Sequence, residues 1–148
     1  MGQEESKIIS LTDYWMGRDR EFPMAMSPDL ERNAAMMVDL ANKLIVLARV
    51  GGVIFDTNPR TGTVISSGWR PASVNANTPN AAPNSKHMTG QAIDLYDPDG
   101  DLDDWLMTED GQRVLSDLGL WMEHPSATKG WSHVQSVPPR SGRRVFYP

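Results

Sequence analysis

Two histidines and one aspartate in the second half of the chain have the residue types of a zinc site. They are His87 and Asp94, in the segment 85–94, and His133, in the segment 131–133. Three protein ligands leave a fourth position for water, which is the arrangement of catalytic zinc, whereas structural zinc usually has four protein ligands. The chain contains no Cys, which excludes a structural site of the Cys type. The three residues therefore predict a catalytic zinc site.

The spacing of the first two ligands indicates how the chain presents them. His87 and Asp94 are too far apart in sequence to lie on neighbouring turns of one helix. They fit a loop that presents His87, followed by a strand over 92–96 that presents Asp94. Gly90 between them allows the backbone to turn tightly. Taken alone, each histidine would be an ordinary polar surface residue, so the combination carries the prediction.

Three motifs around these residues resemble those of a known family of zinc peptidases. The pattern S-x-H-x-x-G-x-A-x-D over 85–94, the W-x-H over 131–133 and the S-G-W-R-P over 67–71 are similar to motifs of the zinc D-alanyl-D-alanine carboxypeptidase family. That family includes VanX-type dipeptidases, the L-alanyl-D-glutamate endopeptidases of phage endolysins and the zinc fold of Hedgehog domains. The motifs follow the family's order, and the resemblance covers about 27–135. It implies Zn2+ as the cofactor.

The resemblance also implies an activity. It predicts hydrolysis of amide bonds in peptidoglycan stem peptides by a protein that a phage or prophage encodes, and it fits both carboxypeptidase and endopeptidase action. One alternative is a domain that keeps the zinc fold, is catalytically weak or inactive, and serves as a structural or binding component beside other virion proteins. A zinc hydrolase that acts on an amide outside the cell wall is a third possibility.

Three side chains near the motifs are candidates for handling the substrate. Arg70 occupies the position of the family's transition-state arginine, and a guanidinium can hold an oxyanion or a substrate carboxylate through two hydrogen bonds. The alternative for Arg70 is a surface salt bridge. Ser85 is expected either to hydrogen-bond near the site or to cap the turn before His87. Trp131 is expected in the core or in the wall of the substrate pocket.

The general base is the point at which the sequence departs from the family. Many members carry Glu or Asp three residues before the last histidine, where this chain has Gly130. Glu123 is the expected replacement, if it lies opposite Trp131 in a hairpin and so shares a face with His133. A shift of one residue in the register would bring His124 to that face instead. We expect Glu123 to transfer the proton and His124 to assist substrate binding.

Length and charge narrow the remaining possibilities. The 148 residues suit one domain with a real core, and the net charge of −5 disfavours non-specific binding of nucleic acid. The basic cluster Arg140, Arg143 and Arg144 is expected as a solvated C-terminal tail. The sequence predicts neither a membrane-spanning segment nor a secretory signal. We therefore expect the protein in the host cytoplasm before holin-type release, or in a virion.

The order of the predicted elements indicates an α+β fold, with a small antiparallel sheet flanked by helices. We expect an extended N-terminal arm over 1–26, packed through Tyr14, Trp15 and Phe22, and a single zinc-peptidase-like domain over 27–148.

A long helix should begin after Ser27, carry one apolar stripe and end at Gly51 and Gly52. The remaining predicted elements are strands at 53–55, 63–66 and 92–96, a polar loop at 71–84, helix over 102–118 with a break near Gly111, and a hairpin of 120–124 with 131–137.

The acidic segment 97–103 invites comparison with a calcium-binding loop. Its glycine falls too early for an EF-hand, and the twelfth position is Thr108 rather than Glu. We therefore expect a turn followed by the start of a helix.

Overall fold

The protein has an α+β fold built on one mixed five-stranded sheet. The computed structural model describes residues 8–148. The strands stand in the order β1-β2-β4-β3-β5, and their bounds are Ile65–Ser67 (β1), Ala92–Asp97 (β2), Trp121–Glu123 (β3), Gly130–Gln135 (β4) and Val145–Phe146 (β5). The helices are Leu11–Trp15 (α1), Arg18–Glu21 (α2), Pro28–Val50 (α3), Ala72–Ala76 (α4), Asp101–Leu106 (α5) and Glu109–Leu118 (α6).

Helix α3 forms as the sequence predicts. The Ser27 hydroxyl accepts a hydrogen bond from the Leu30 amide, Pro28 occupies the first turn, and Gly51 caps the C-terminus. Every residue of the predicted apolar stripe is buried: Leu30, Ala34, Met37, Ala41, Leu44 and Ala48. The helix therefore covers one face of the domain's core with a continuous apolar surface. Among the helices of the described part of the chain, none has the length and apolarity needed to cross a membrane.

The centre of the sheet is the antiparallel pair of β2 and β4, in which Asp94 lies opposite His133. Strand β3 pairs with β4 in the predicted antiparallel sense. The edge strand β5, however, runs parallel to β3, so the sheet is mixed rather than purely antiparallel. Of the three arginines predicted to form a solvated C-terminal tail, Arg140 and Arg143 are exposed, but the prediction is wrong for Arg144. Its guanidinium lies over the Trp121 ring at 4.6 Å from the ring centroid and donates a hydrogen bond to the Leu120 carbonyl.

Several elements differ from the prediction. The predicted loop over 71–84 contains the short helix α4, and the strand predicted over 63–66 is Ile65–Ser67. Residues 53–55 do not form a strand, because the Val53 amide bonds back to the Ala48 carbonyl and completes the end of α3. The helical segment breaks before Thr108, whose hydroxyl caps α6 by accepting from the Gly111 amide. Gly111 therefore lies inside α6 rather than at the break. Glycine is needed at this position because a Cβ there would clash with the backbone of Trp105 and Leu106.

The described residues of the N-terminal segment are helical, so the predicted extended conformation is wrong for them. The predicted packing through Tyr14, Trp15 and Phe22 is confirmed. The Tyr14 hydroxyl donates to the Ala92 carbonyl at 2.7 Å, and the Tyr14 carbonyl accepts from the Trp69 amide. Trp15 packs edge-on against Trp69. At Gly68 an added Cβ would clash with the Tyr14 carbonyl. Glycine is thus required where the N-terminal segment meets the sheet.

The acidic segment after β2 is a turn that caps a helix, as predicted. Both oxygens of the buried Asp97 carboxylate accept hydrogen bonds from backbone amides at the start of α5, those of Leu102 and Asp103. Because these oxygens satisfy helix amides, the segment has the role of a cap.

Candidate metal centre

Three elements bring the predicted ligands together. His87 lies on the loop before β2, Asp94 lies within β2, and His133 lies opposite it on β4. Their candidate ligand atoms all lie within 4.8 Å of one another. His87 Nε2 is 3.2 Å from Asp94 Oδ1, and His133 Nδ1 is 2.8 Å from the same oxygen. This group can hold a metal ion.

The hydrogen bonds behind the rings fix which nitrogens face the centre. His87 Nδ1 lies 2.7 Å from the Gly68 carbonyl oxygen, which can only accept, so Nδ1 carries the proton. His133 Nε2 lies 2.8 Å from Gln135 Oε1. The Gln135 amide orientation is set by its Nε2, which donates to the Val137 carbonyl, so His133 Nε2 is the donor. His87 Nε2 and His133 Nδ1 are therefore the nitrogens that face the centre, and each can bind a metal ion when it carries no proton.

One buried atom tests whether the group fits a metal. His87 Nε2 is buried and has no hydrogen-bond partner; its approach to Asp94 lacks hydrogen-bond geometry. A buried acceptor without a donor is costly. This nitrogen converges with His133 Nδ1 and an Asp94 oxygen, which share a hydrogen bond, and a metal ion in place of that proton would bind all three atoms. The residues therefore fit a metal ion with nitrogen and oxygen ligands.

The charges of the neighbouring side chains also favour a positive charge at this centre. Burial opposes ionisation of Asp94, but the neighbouring His87 and His133 outweigh it and hold the pKa of Asp94 well below its usual range. Burial likewise lowers the pKa of His133, yet the hydrogen bond and charge of Asp94 and the charge of Glu123 raise it to about 9. The site thus attracts a positive charge, whether a proton or a metal ion supplies it.

Glu123 lies beside the centre and lines the same cavity, although the predicted register is wrong. Trp121 pairs with Gln135, which places Glu123 across from His133 rather than from Trp131. A shift of two residues preserves the face, and Glu123 Oε2 lies 3.4 Å from His133 Nε2. Burial raises the pKa of Glu123, partly offset by the charge of His133. A half-buried carboxylate with a raised pKa has the properties of a general base.

Arg70 is held against the loop that presents His87. Its backbone amide donates to the His87 carbonyl, and its Nη2 donates to the Ser85 hydroxyl at 3.3 Å. Its side chain lines the cavity, while the residue is only 9% exposed and its Nε has no hydrogen-bond partner. Burial lowers the pKa of Arg70. A guanidinium with unused donors at the wall of the centre can bind a negatively charged oxygen.

The three predicted substrate-binding residues have different positions. Ser85 lies in the cavity wall, and its hydroxyl also accepts from the His87 amide, so it is both near the site and part of the turn. Trp131 lies in the cavity wall as well. His124 is not among the lining residues; its ring stacks on Tyr147 with centroids 4.6 Å apart, and its Nδ1 contacts Ser126. The structure therefore separates His124 from the centre.

The centre opens into a cavity of about 1,100 Å³. That volume is slightly above the usual range for small-molecule sites, about 300–1,000 Å³. Its wall includes residues from the N-terminal segment, Met16 and Arg18, and from the loop after α4. A peptide segment has room to reach the three ligands.

Sequence reasoning missed three contributors. Gln135 orients His133 and lies two residues after it on the same strand face, so strand periodicity could have found it. The Gly68 carbonyl orients His87, and Arg18 lies in the cavity wall; no local sequence signal marks either, because tertiary packing brings them to the site.

No protein-family model, curated protein or solved structure matches this chain.

Proposed function

We propose that the chain is a zinc-dependent peptidase that hydrolyses amide bonds of peptidoglycan stem peptides. The observation that carries the proposal is the convergence of two imidazole nitrogens and one carboxylate oxygen, within 4.8 Å of one another, in the wall of a large cavity. Glu123 and Arg70 lie on the walls of the same centre. This set supplies ligands, a base and an oxyanion donor in one place.

Zinc is the metal that this set of donors suits best. His87, Asp94 and His133 would hold it, because imidazole nitrogen and carboxylate oxygen are its ordinary ligands outside Cys sites. When bound, zinc supplies Lewis acidity and lowers the pKa of water to about 7.

Glu123 is the proton carrier in the proposed reaction. Its carboxylate takes a proton from the water that attacks the peptide carbonyl, and returns it to the amine that leaves. Its position in the wall of the same cavity supports this role, and its pKa responds to the charges of His133, Asp94, His87 and Arg70. The raised pKa makes the carboxylate a stronger base than an exposed glutamate.

Arg70 stabilises the charge that develops on the carbonyl oxygen. Its contacts with the Ser85 hydroxyl and the His87 backbone fix the guanidinium before substrate arrives. A donor that is already oriented need not reorganise in the transition state, which is the origin of its catalytic effect.

The resemblance of the three motifs supports the stem-peptide substrate and the phage or prophage origin. It also fits action after holin-type release from the host cytoplasm, or in a virion. A binding or structural role in a phage particle is the second candidate. Gly130 favours that role, because the position that carries an acid in many family members has no side chain here and a φ of +100°.

Mass spectrometry of purified muropeptides tests the proposal. The wild-type protein should release a defined stem-peptide fragment, lose this activity with a chelator, and regain it when zinc is added back. Glu123→Gln is the matched control, since it should bind zinc without cleaving. Intact muropeptides in the presence of fully zinc-loaded protein would favour the binding role instead.

A further inference from the structure

The charge of the cavity wall differs from the charge of the chain. The whole chain carries a net charge of −5, yet two acidic side chains, Asp94 and Glu123, line the cavity, and both belong to the centre. The basic side chains in the wall are Arg18, Arg60, Arg70, Lys86, Lys129 and Arg140. A concave surface lined mainly by positive charge concentrates anionic ligands.

Arg18 is held beside the backbone of the residue that precedes Arg70. Its Nη1 donates to the Trp69 carbonyl at 2.7 Å, one residue before Arg70 in the chain. Burial lowers the pKa of Arg18, and the charge of Arg70 lowers it further. Among residues 8–148 neither guanidinium has a carboxylate within 4.0 Å. The charge of Glu21 partly offsets the lowering for Arg18, and the charges of Asp94 and Glu123 partly offset it for Arg70. Without a carboxylate in direct contact, each guanidinium keeps donors for an anionic ligand.

The unused donors of Arg18 indicate what kind of anion it can bind. A guanidinium has five N–H donors, and one of those on Arg18 is occupied by the Trp69 carbonyl. The planar donor pair that remains matches the two oxygens of a carboxylate. Arg70 contacts the loop that carries His87, whereas Arg18 belongs to α2. The two arginines therefore approach the cavity from different elements.

We propose that Arg18 is a specificity-determining residue that binds a carboxylate of the peptide substrate beside the bond that is cleaved. The proposal rests on the proposed peptidase function and deepens it. It assigns Arg70 to the reacting carbonyl and Arg18 to a neighbouring acidic group, so the preferred substrate is an acidic peptide. The N-terminal segment then forms part of the substrate site in addition to its packing role.

A set of matched peptides tests the assignment. The probes are the synthetic stem pentapeptide L-Ala-D-isoglutamyl-L-Lys-D-Ala-D-Ala, which contains both candidate bonds, and two versions in which one carboxylate at a time is a carboxamide. Wild-type kcat/KM should fall about 10- to 100-fold for one of the amidated peptides, since a hydrogen bond to a charged group is lost. Arg18→Gln should lower kcat/KM for the acid peptide to the same level and leave that amidated peptide unchanged.

The control separates recognition from a structural effect. Arg20→Gln removes an exposed arginine from the same helix and should leave kcat/KM unchanged for the acid peptide and for both amidated peptides. An equal loss for acid and amidated peptides in Arg18→Gln would show that Arg18 only supports the fold, and would overturn the assignment. So would a wild-type enzyme that is indifferent to every carboxylate.

Binding without turnover distinguishes this assignment from the peptidase proposal. Titration calorimetry on Glu123→Gln measures the affinity for each peptide when none is cleaved. The assignment predicts that one amidated peptide binds about 10-fold or more weakly than the acid peptide, and that this difference disappears when Arg18→Gln is added. That result supports the assignment even if the wild type cleaves nothing. Equal affinities for acid and amidated peptides overturn it even if cleavage is efficient.

Discussion

Glu123 lies across the β3–β4 hairpin from His133, with its Oε2 3.4 Å from His133 Nε2. The same nitrogen donates to Gln135 Oε1, so the outer edge of the imidazole faces two oxygens while Nδ1 faces Asp94. One ring thus links the ligand group to the proposed base. Substitutions can therefore test separately the metal ligands, the Gln135 amide that orients His133, and the proposed base Glu123.

Replacement of each ligand should remove the metal. We expect about one zinc per chain, removable by chelator. His87→Ala, Asp94→Ala and His133→Ala should each lose most of it, because two remaining donors hold zinc weakly. Elemental analysis of purified, dialysed variants measures the content. Full occupancy in all three variants would reject this site.

Gln135 should tune the affinity for zinc without binding it. Gln135→Leu removes the acceptor that holds the proton on His133 Nε2, so Nδ1 is no longer fixed as the ligand. Loss of such a supporting partner typically weakens metal affinity about 10- to 100-fold. Competition with a chromophoric chelator measures the change.

Gln135→Glu is the conservative control, since a carboxylate can still accept from Nε2. It should hold zinc at least ten times more tightly than Gln135→Leu. Equal affinities in the two variants would show that the contact does not orient the ring.

The group that could hold a metal ion was predictable because residue type and motif order identify its three members. Histidine and aspartate are ordinary metal ligands, and His87, Asp94 and His133 lie within recognisable motifs. Because side chains alternate along a strand, the sequence also predicts on which side of the sheet Asp94 and Glu123 lie. Helix α3 was predictable for a similar reason, since the Ser27 cap and the apolar stripe are local. In each case the information lies within a short stretch of chain.

The features that were not predictable depend on contacts between distant segments. The register of the β3–β4 hairpin depends on the 3₁₀ turn Pro125–Ala127 and the loop after it. The register could not be predicted because the sequence did not indicate the geometry of this turn. The position of Arg18 follows from the packing of Tyr14 against Gly68 and Trp69. Strand β5 forms only because β3 offers it an edge. Tertiary packing decides all three.

Arg70 should affect catalysis far more than metal binding. Arg70→Ala should retain zinc and lose turnover by about 10²–10³-fold, the usual effect of removing an oxyanion donor. Arg70→Lys should recover little, because a point charge cannot reproduce the planar fork. Steady-state kinetics, with zinc content and melting temperature as controls, separates the two effects. Unchanged turnover in Arg70→Ala would remove this residue from the mechanism.

The buried carboxylate of Asp103 should make stability depend on pH. Burial raises the pKa of Asp103 from 3.8 to about 6, partly offset by hydrogen bonds from Ser132 and Thr128. The folded state therefore retains a proton that the unfolded chain has lost. The resulting stability is fully present below about pH 4 and is lost as the pH rises through about 6, by up to about 3 kcal/mol.

Asp103→Asn tests this dependence, because its carboxamide cannot ionise. Denaturant unfolding at several pH values should show a flatter profile between about pH 4 and pH 6 than the wild type shows. Asp104→Asn, an exposed neighbour on α5, should keep the wild-type slope. Parallel profiles for wild type and Asp103→Asn would place the proton elsewhere.

Glu123 carries the most specific prediction, because its function depends on the observed register. Glu123→Gln is nearly isosteric, so zinc content and melting temperature should stay at wild-type values. Turnover should fall about 10²–10⁴-fold, because the amide cannot accept the proton of the attacking water. Single-turnover assays on the stem peptide measure the chemical step directly.

His124→Ala is the matched control from the adjacent position. Its ring stacks on Tyr147 and lies outside the cavity wall, so its loss should change turnover less than about threefold, as for a surface residue away from the chemistry. A larger loss in His124→Ala than in Glu123→Gln would mean that the histidine faces the centre in solution, which requires a register shifted by one residue. If the wild type cleaves stem peptides and neither change slows it, another group must carry the proton, and the mechanism proposed for Glu123 is wrong.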